Sequence, residues 1–112
     1  MASLAVRDAV RFENADGSDG KRRTGVVMAI GAEYAMVIYG RASERPGTHL
    51  TIREGSQAAV AMSLYKTTHF YPESVRRVRV ALLEKCGRCP PTPFVDLIGV
   101  FREGISHLKT IG

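Results

Sequence analysis

The sequence has no apolar stretch of the roughly 18 residues that a membrane-spanning helix requires. The opening Met1–Asp8 segment carries neither the basic region nor the long apolar core of a secretory signal, so the expected compartment is the cytoplasm, with no membrane partner. Internal repeats and low-complexity tracts are also missing, which excludes a repeat architecture. Cysteine is scarce. The two that occur form Cys86-Gly87-Arg88-Cys89, a spacing that can be half a zinc site or a redox pair with Arg88 favouring a thiolate. A zinc site needs two more ligands, and the histidines are only His49, His69 and His107. A thioredoxin-like pair belongs early in a βαβ unit, whereas this one follows a strand near the C-terminus. The pair is therefore read as part of a turn, with zinc or redox chemistry as the open alternative, and no metal or cofactor is expected.

What is present suits one soluble domain over residues 1–112. The 24% charged and 45% hydrophobic residues are those of an ordinary globular chain rather than a disordered one. Lysine and arginine number 16 against 11 acids, a formal charge of +5, which favours an acidic partner: nucleic acid, an anionic surface or an acidic protein.

Val6, Val10 and Phe12 alternate with charges as in a short strand. Glu13–Gly20 is turn chemistry, read as a mobile hairpin loop. Val26–Ile30 and Tyr34–Tyr39 are apolar runs joined by Gly31-Ala32-Glu33, the pattern of a central antiparallel hairpin. Thr48–Arg53 reads as a half-buried strand with Leu50 and Ile52 inward, and Ser56 as the cap of a short helix burying Val60, Met62 or Leu64. Lys66–Tyr71 reads as a strand ended by Pro72. Val75–Leu82 reads as another, with Val78, Val80 and Leu82 on one face and Arg77 and Arg79 on the other. After a breaker-rich loop at Cys86–Pro91, Thr92 and Pro93 open an amphipathic helix bearing Phe94, Leu97, Ile98, Phe101, Ile105 and Leu108, weakened by Gly99 and Gly104. The expected fold is α+β: a small, strongly bent antiparallel β-barrel with one short internal helix and a C-terminal amphipathic helix.

The densest candidate for binding is Lys21-Arg22-Arg23, three cations that run directly into the Val26–Ile30 strand. The following strand ends in Arg41-Ala42-Ser43 in the same manner.

The order of these parts resembles the MazF/PemK/Kid family of toxin ribonucleases, which fold as SH3-like barrels and act with an antitoxin. Gly20-Lys21-Arg22-Arg23-Thr24-Gly25-Val26-Val27-Met28 looks like the family's basic element leading into a strand. Val37–Ser43 followed by Thr48–Ile52 is similar to its Thr-Ser step and next strand, and Leu64-Tyr65-Lys66-Thr67-Thr68 to its Leu-x-Lys/Arg-Pro-Ser/Thr pattern. The resemblance covers residues 5 to 100 and rests on order and spacing. It implies a metal-independent endoribonuclease for single-stranded RNA, a homodimer, and an antitoxin segment over the basic groove. Two positions depart from it: Thr24 stands in place of proline, and Ala42 in place of the catalytic threonine if Ser43 matches the adjacent serine.

Cleavage of this kind needs proton transfer and stabilisation of charge on phosphorus. Arg23 suits the second role, since guanidinium is always charged and offers a phosphate two donors. Ser43 could hydrogen-bond the phosphate, and His49 or His69 could move the proton. Lys21, Arg22, Arg41, Arg77 and Arg79 are the candidate substrate-binding cations; Arg76 would join a phosphate track if it shares a face with Arg23. Tyr34, Tyr39, Tyr65, Phe70 and Tyr71 are the aromatics available for base stacking. The alternative is a non-catalytic barrel of the same descent that binds nucleic acid or an acidic protein.

Overall fold

A computed structural model describes residues 3–13 and 22–111, with side chains through 106. The mobile-loop reading of 14–20, the substrate-binding reading of Lys21 and the packing of Leu108 lie outside the described residues.

The strands are β1 (Asp8–Glu13), β2 (Arg22–Ile30), β3 (Tyr34–Arg41), β4 (Leu50–Ile52), β5 (Thr68–Arg79) and β6 (Glu84–Arg88). They form one antiparallel sheet in the order β4-β5-β3-β2-β1-β6, curled into a half-barrel. The helices are α1 (Gln57–Ala61) and α2 (Pro91–Ile111). The structure is thus α+β, as the sequence pattern predicts. Among the described residues, no helix is long and apolar enough to cross a membrane.

The near-continuous apolar runs of β2 and β3 follow from burial on both faces. One face places Val26, Met28 and Ile38 in a core with Phe70, Val75 and, from the helices, Ala59, Leu97 and Val100. The other places Val27, Val37 and Tyr39 with Val10, Phe12 and Val78. Helix α2 packs on β5 and β4 through Leu97 and Val100, with Phe94, Ile98, Phe101 and Ile105 against the same core. A Cβ on Gly104 would lie 2.4 Å from the Pro72 carbonyl oxygen, so glycine here permits close helix–strand approach. Gly99 faces open space.

Four expectations change. Pro72 does not end a strand: β5 runs through it, because the β3 pairing passes from Ile38↔Val75 to Gly40↔Phe70 and leaves residues 71–74 in a bulge where no ladder N–H is required. Val80 and Leu82 do not continue that strand; they form a 3-10 turn, and Leu82 is exposed. Val60 is exposed, the small helix burying Ala59 and, at its cap, Met62. Cys86 lies in β6, an edge strand paired with β1, rather than in a loop.

The β1–β6 pair is fastened at its end by Asp8. Its fully buried carboxylate accepts from the Ala5 amide at 2.8 Å and meets Arg88 at 3.3 Å and Lys85 at 3.4 Å. A buried charge persists where such partners satisfy it.

Candidate nucleic-acid interface

The strand ends singled out in the sequence meet in a cleft of about 480 Å³. Its walls are Arg11 from β1, Arg22, Arg23 and Thr24 from β2, Gly40, Arg41 and Ala42 at the end of β3, and Ser63–Lys66 with Thr68 from the α1–β5 link. Five of these residues are cations, and no described lining residue is an acid or a histidine. Arg22 is tied to Glu84, which offsets its charge at the edge of the cleft.

The register explains the convergence. Gly25 pairs with Tyr39 across β2 and β3, and two further steps along that ladder bring Arg23 beside Arg41. Both lie on the Tyr39 face by strand alternation. The guanidinium carbons of Arg23, Arg41 and Arg76 stand 5.5, 5.5 and 5.4 Å from the centre of the Tyr39 ring. That ring is 3% exposed and packs edge-on against Phe12. Arg41 donates to the Tyr39 hydroxyl at 3.1 Å and to the buried Ser74 hydroxyl at 3.4 Å, and Arg76 reaches the same phenol at 3.5 Å. Among the described residues, neither Arg41 nor Arg76 pairs with a carboxylate.

The opposite wall is shaped by the end of α1. Ser56 caps its start, accepting from the Ala59 amide at 3.2 Å. At the other end Ser63 adopts φ 59°, with Ser63 N donating to Val60 O and Leu64 N to Ala59 O, a Schellman-type stop. The Ser63 hydroxyl donates to Cys86 O at 2.5 Å, and its carbonyl accepts from Arg11 at 3.3 Å. This stop directs Tyr65 outward, 76% exposed, with the Arg11 guanidinium 5.4 Å from its ring. The interaction with the Tyr65 hydroxyl raises the Arg11 pKa above its ordinary value. Gly40 admits Thr68 to the floor, where a Cβ would meet its methyl at 2.0 Å.

Arg22, Arg23 and Arg41 are therefore brought together, and Arg76 shares the Tyr39 ring with Arg23. Ser43 is exposed in the bend after β3 and does not line the cleft. His49 stacks on Tyr71 beside His69, in a different cluster. Arg77 and Arg79 stand over Tyr34, at 4.6 and 5.8 Å, at the opposite end of β3 and roughly 23 Å along it from Arg41. Lys66 and Thr68 entered the sequence reading only as part of the family-like Leu64–Thr68 pattern, without a binding role, and Arg11, in β1, was not singled out at all. Its place in the cleft depends on the β1–β2 pairing that sets it opposite Thr24.

The free thiols are poor nucleophiles. Burial raises the Cys86 pKa and pushes that of Cys89 up to about 11. Desolvation outweighs the opposing charges of Arg11 and Arg22 at Cys86 and of Arg7 at Cys89. Arg88, which the spacing suggested would favour a thiolate, is directed to Asp8 instead.

Such a cleft can hold phosphate oxygens between guanidinium groups and set an aromatic ring against a base. No protein-family model matches the chain, and comparison with curated proteins finds no match.

Proposed function

We propose that the cleft binds single-stranded RNA and that the protein is a toxin-type endoribonuclease of the MazF/PemK/Kid kind, cleaving without metal. The observation that carries the reading is the cation-lined cleft with one exposed aromatic, Tyr65, and no acid among its described walls. Three segments that suggested the family from sequence, at Arg22–Thr24, Arg41–Ala42 and Leu64–Thr68, supply its lining.

In this mechanism Arg23 and Arg41 clamp the non-bridging oxygens of the scissile phosphate. They stabilise the charge that builds as the neighbouring 2′-hydroxyl attacks phosphorus and the 5′-oxygen departs, a preorganised contribution of about 3–4 kcal/mol per donor. Water takes the hydroxyl proton and returns one to the leaving oxygen. Tyr65 stacks a base and thereby sets the register of the strand. The same positive surface suits an acidic antitoxin segment, and the family reading carries a homodimer with it.

A second reading has its own support. Ala42 supplies no hydroxyl, and no histidine or carboxylate among the described lining is placed for proton transfer, which favours a barrel that binds RNA without cutting it. One experiment separates the two: wild type and Arg23→Ala are incubated with mixed RNA in EDTA, with binding followed in parallel. Fragments from wild type that are lost in Arg23→Ala support cleavage. Salt-sensitive binding to intact RNA supports the second reading, and absence of both overturns the interface itself.

A further inference from the structure

Outside the cleft, the fold assembles two histidines and a carboxylate that lie apart in the sequence. His69 in β5 is buried and pairs in register with Thr51 in β4, and its Nδ1 lies 2.8 Å from the Thr51 hydroxyl. His49 enters just before β4, with Nδ1 2.8 Å from the Gly47 carbonyl oxygen. A carbonyl only accepts, so Nδ1 carries the proton of the neutral His49 ring and Nε2 its lone pair. That Nε2 lies 3.6 Å from a Glu44 carboxylate oxygen. One ligand atom from each of Glu44, His49 and His69 lies within 4.8 Å of the others.

The rings are held by outer partners. His49 stacks on Tyr71 at 4.8 Å and meets His69 edge-on at 5.5 Å. Tyr71 is itself fixed by the Arg45 backbone, accepting from its amide and donating to its carbonyl at 3.2 Å. Imidazoles whose Nδ1 atoms are engaged by a carbonyl and a hydroxyl present the arrangement that orients metal-bound histidines.

We propose that Glu44, His49 and His69 form a binding site for a zinc-class divalent transition metal, which clips the β3–β4 link onto β5. Two imidazoles and one carboxylate suit zinc and its first-row neighbours better than magnesium or calcium. Tetrahedral ligands at about 2.0–2.2 Å from zinc stand roughly 3.4 Å apart. The His49–Glu44 pair already has nearly that separation, Glu44 can adjust on a side chain that is 69% exposed, and the three ligand atoms, all within 4.8 Å of one another, draw together as the metal enters. Water completes the coordination. The clipped link begins at Ala42, in the wall of the cleft, so metal occupancy steadies that wall from outside it.

The test uses the full chain freed of metal by chelator and titrated with Co²⁺ and Zn²⁺ in the absence of RNA, so its outcome is independent of the cleft reading. The expected result is a visible Co²⁺ spectrum of low coordination number without a thiolate charge-transfer band, lost on adding Zn²⁺. Zn²⁺ raises the Tm, while Mg²⁺ and Ca²⁺ at equal concentration do not. Glu44→Gln and His49→Gln each weaken Zn²⁺ binding at least tenfold, Thr51→Val weakens it about tenfold through His69, and Cys86→Ser/Cys89→Ser leaves it unchanged. No saturable binding, a thiolate band, or equal affinity in Glu44→Gln and His49→Gln overturns the proposal.

Discussion

The Arg41 guanidinium stands 5.5 Å from the centre of the Tyr39 ring while donating to the hydroxyl of that same residue at 3.1 Å. Arg23 and Arg76 approach the ring as closely, so one buried phenol organises three cations. Each guanidinium gains about 0.5–2 kcal/mol from the ring face, and the mutual repulsion of three such charges falls when a phosphate enters between them. Tyr39 is a support for the interface rather than a surface for stacking.

From this follows a graded response of RNA binding. Arg41→Ala lowers affinity and reduces the salt dependence by about one counterion, since one phosphate contact is removed. Under the cleavage reading it also lowers the rate by about 10²–10³. Tyr39→Phe keeps the ring but removes the acceptor shared by Arg41 and Arg76, giving a smaller loss. Arg77→Ala and Arg79→Ala, at the other end of β3, leave affinity within about twofold at physiological salt, where their separation from the cleft exceeds the Debye length of about 8 Å. Fluorescence anisotropy over a salt series reads all four.

The Cys86–Cys89 pair behaves as two protonated thiols. Burial holds the Cys89 pKa at about 11, above the 9.0 of an unperturbed thiol, so its stabilising contribution is complete below about pH 9 and is lost as the pH rises through about 11. The unfolded chain releases that proton first, which makes the sign negative. Urea denaturation should show wild-type stability falling relative to Cys89→Ala over that interval. At neutral pH, alkylation of the native protein should be slow at both cysteines and accelerate on unfolding.

The apolar runs of β2 and β3 identified the central hairpin because burial on both faces leaves a continuous pattern that needs no partner information. The Ser56 cap was legible for a similar reason, since capping is local. Pro72 misled because its cost depends on whether the opposing strand requires an N–H, and the bulge at 71–74 removes that requirement. Strand β6 carries Lys85, Gly87 and Arg88 at a sheet edge, a composition that resembles a loop unless the neighbouring strand is known. At the site, Arg23 and Arg41 were legible as strand-end cations, whereas Lys66 and Thr68 stood in the sequence only as part of a family-like pattern and become cleft residues when the α1–β5 link folds over it. Glu44, His49 and His69 needed the β4–β5 pairing to meet at all.

Two glycines in α2 that look alike in the sequence should respond oppositely to alanine. At Gly99, whose added Cβ meets nothing within 4 Å, alanine gains helix propensity without a contact penalty and should stabilise the protein by about 0.5–1 kcal/mol. At Gly104 the same gain is opposed by a Cβ placed 2.4 Å from the Pro72 carbonyl oxygen and 2.8 Å from a Val75 methyl. Backbone oxygen cannot swing aside as a side chain can, so α2 must lift from the bulge of β5. Overpacking of this kind costs about 1–3 kcal/mol, which outweighs the propensity gain. Urea denaturation of Gly99→Ala and Gly104→Ala should therefore move the midpoint up for the first and down for the second. A midpoint for Gly104→Ala at or above wild type would show that the helix does not approach Pro72 this closely.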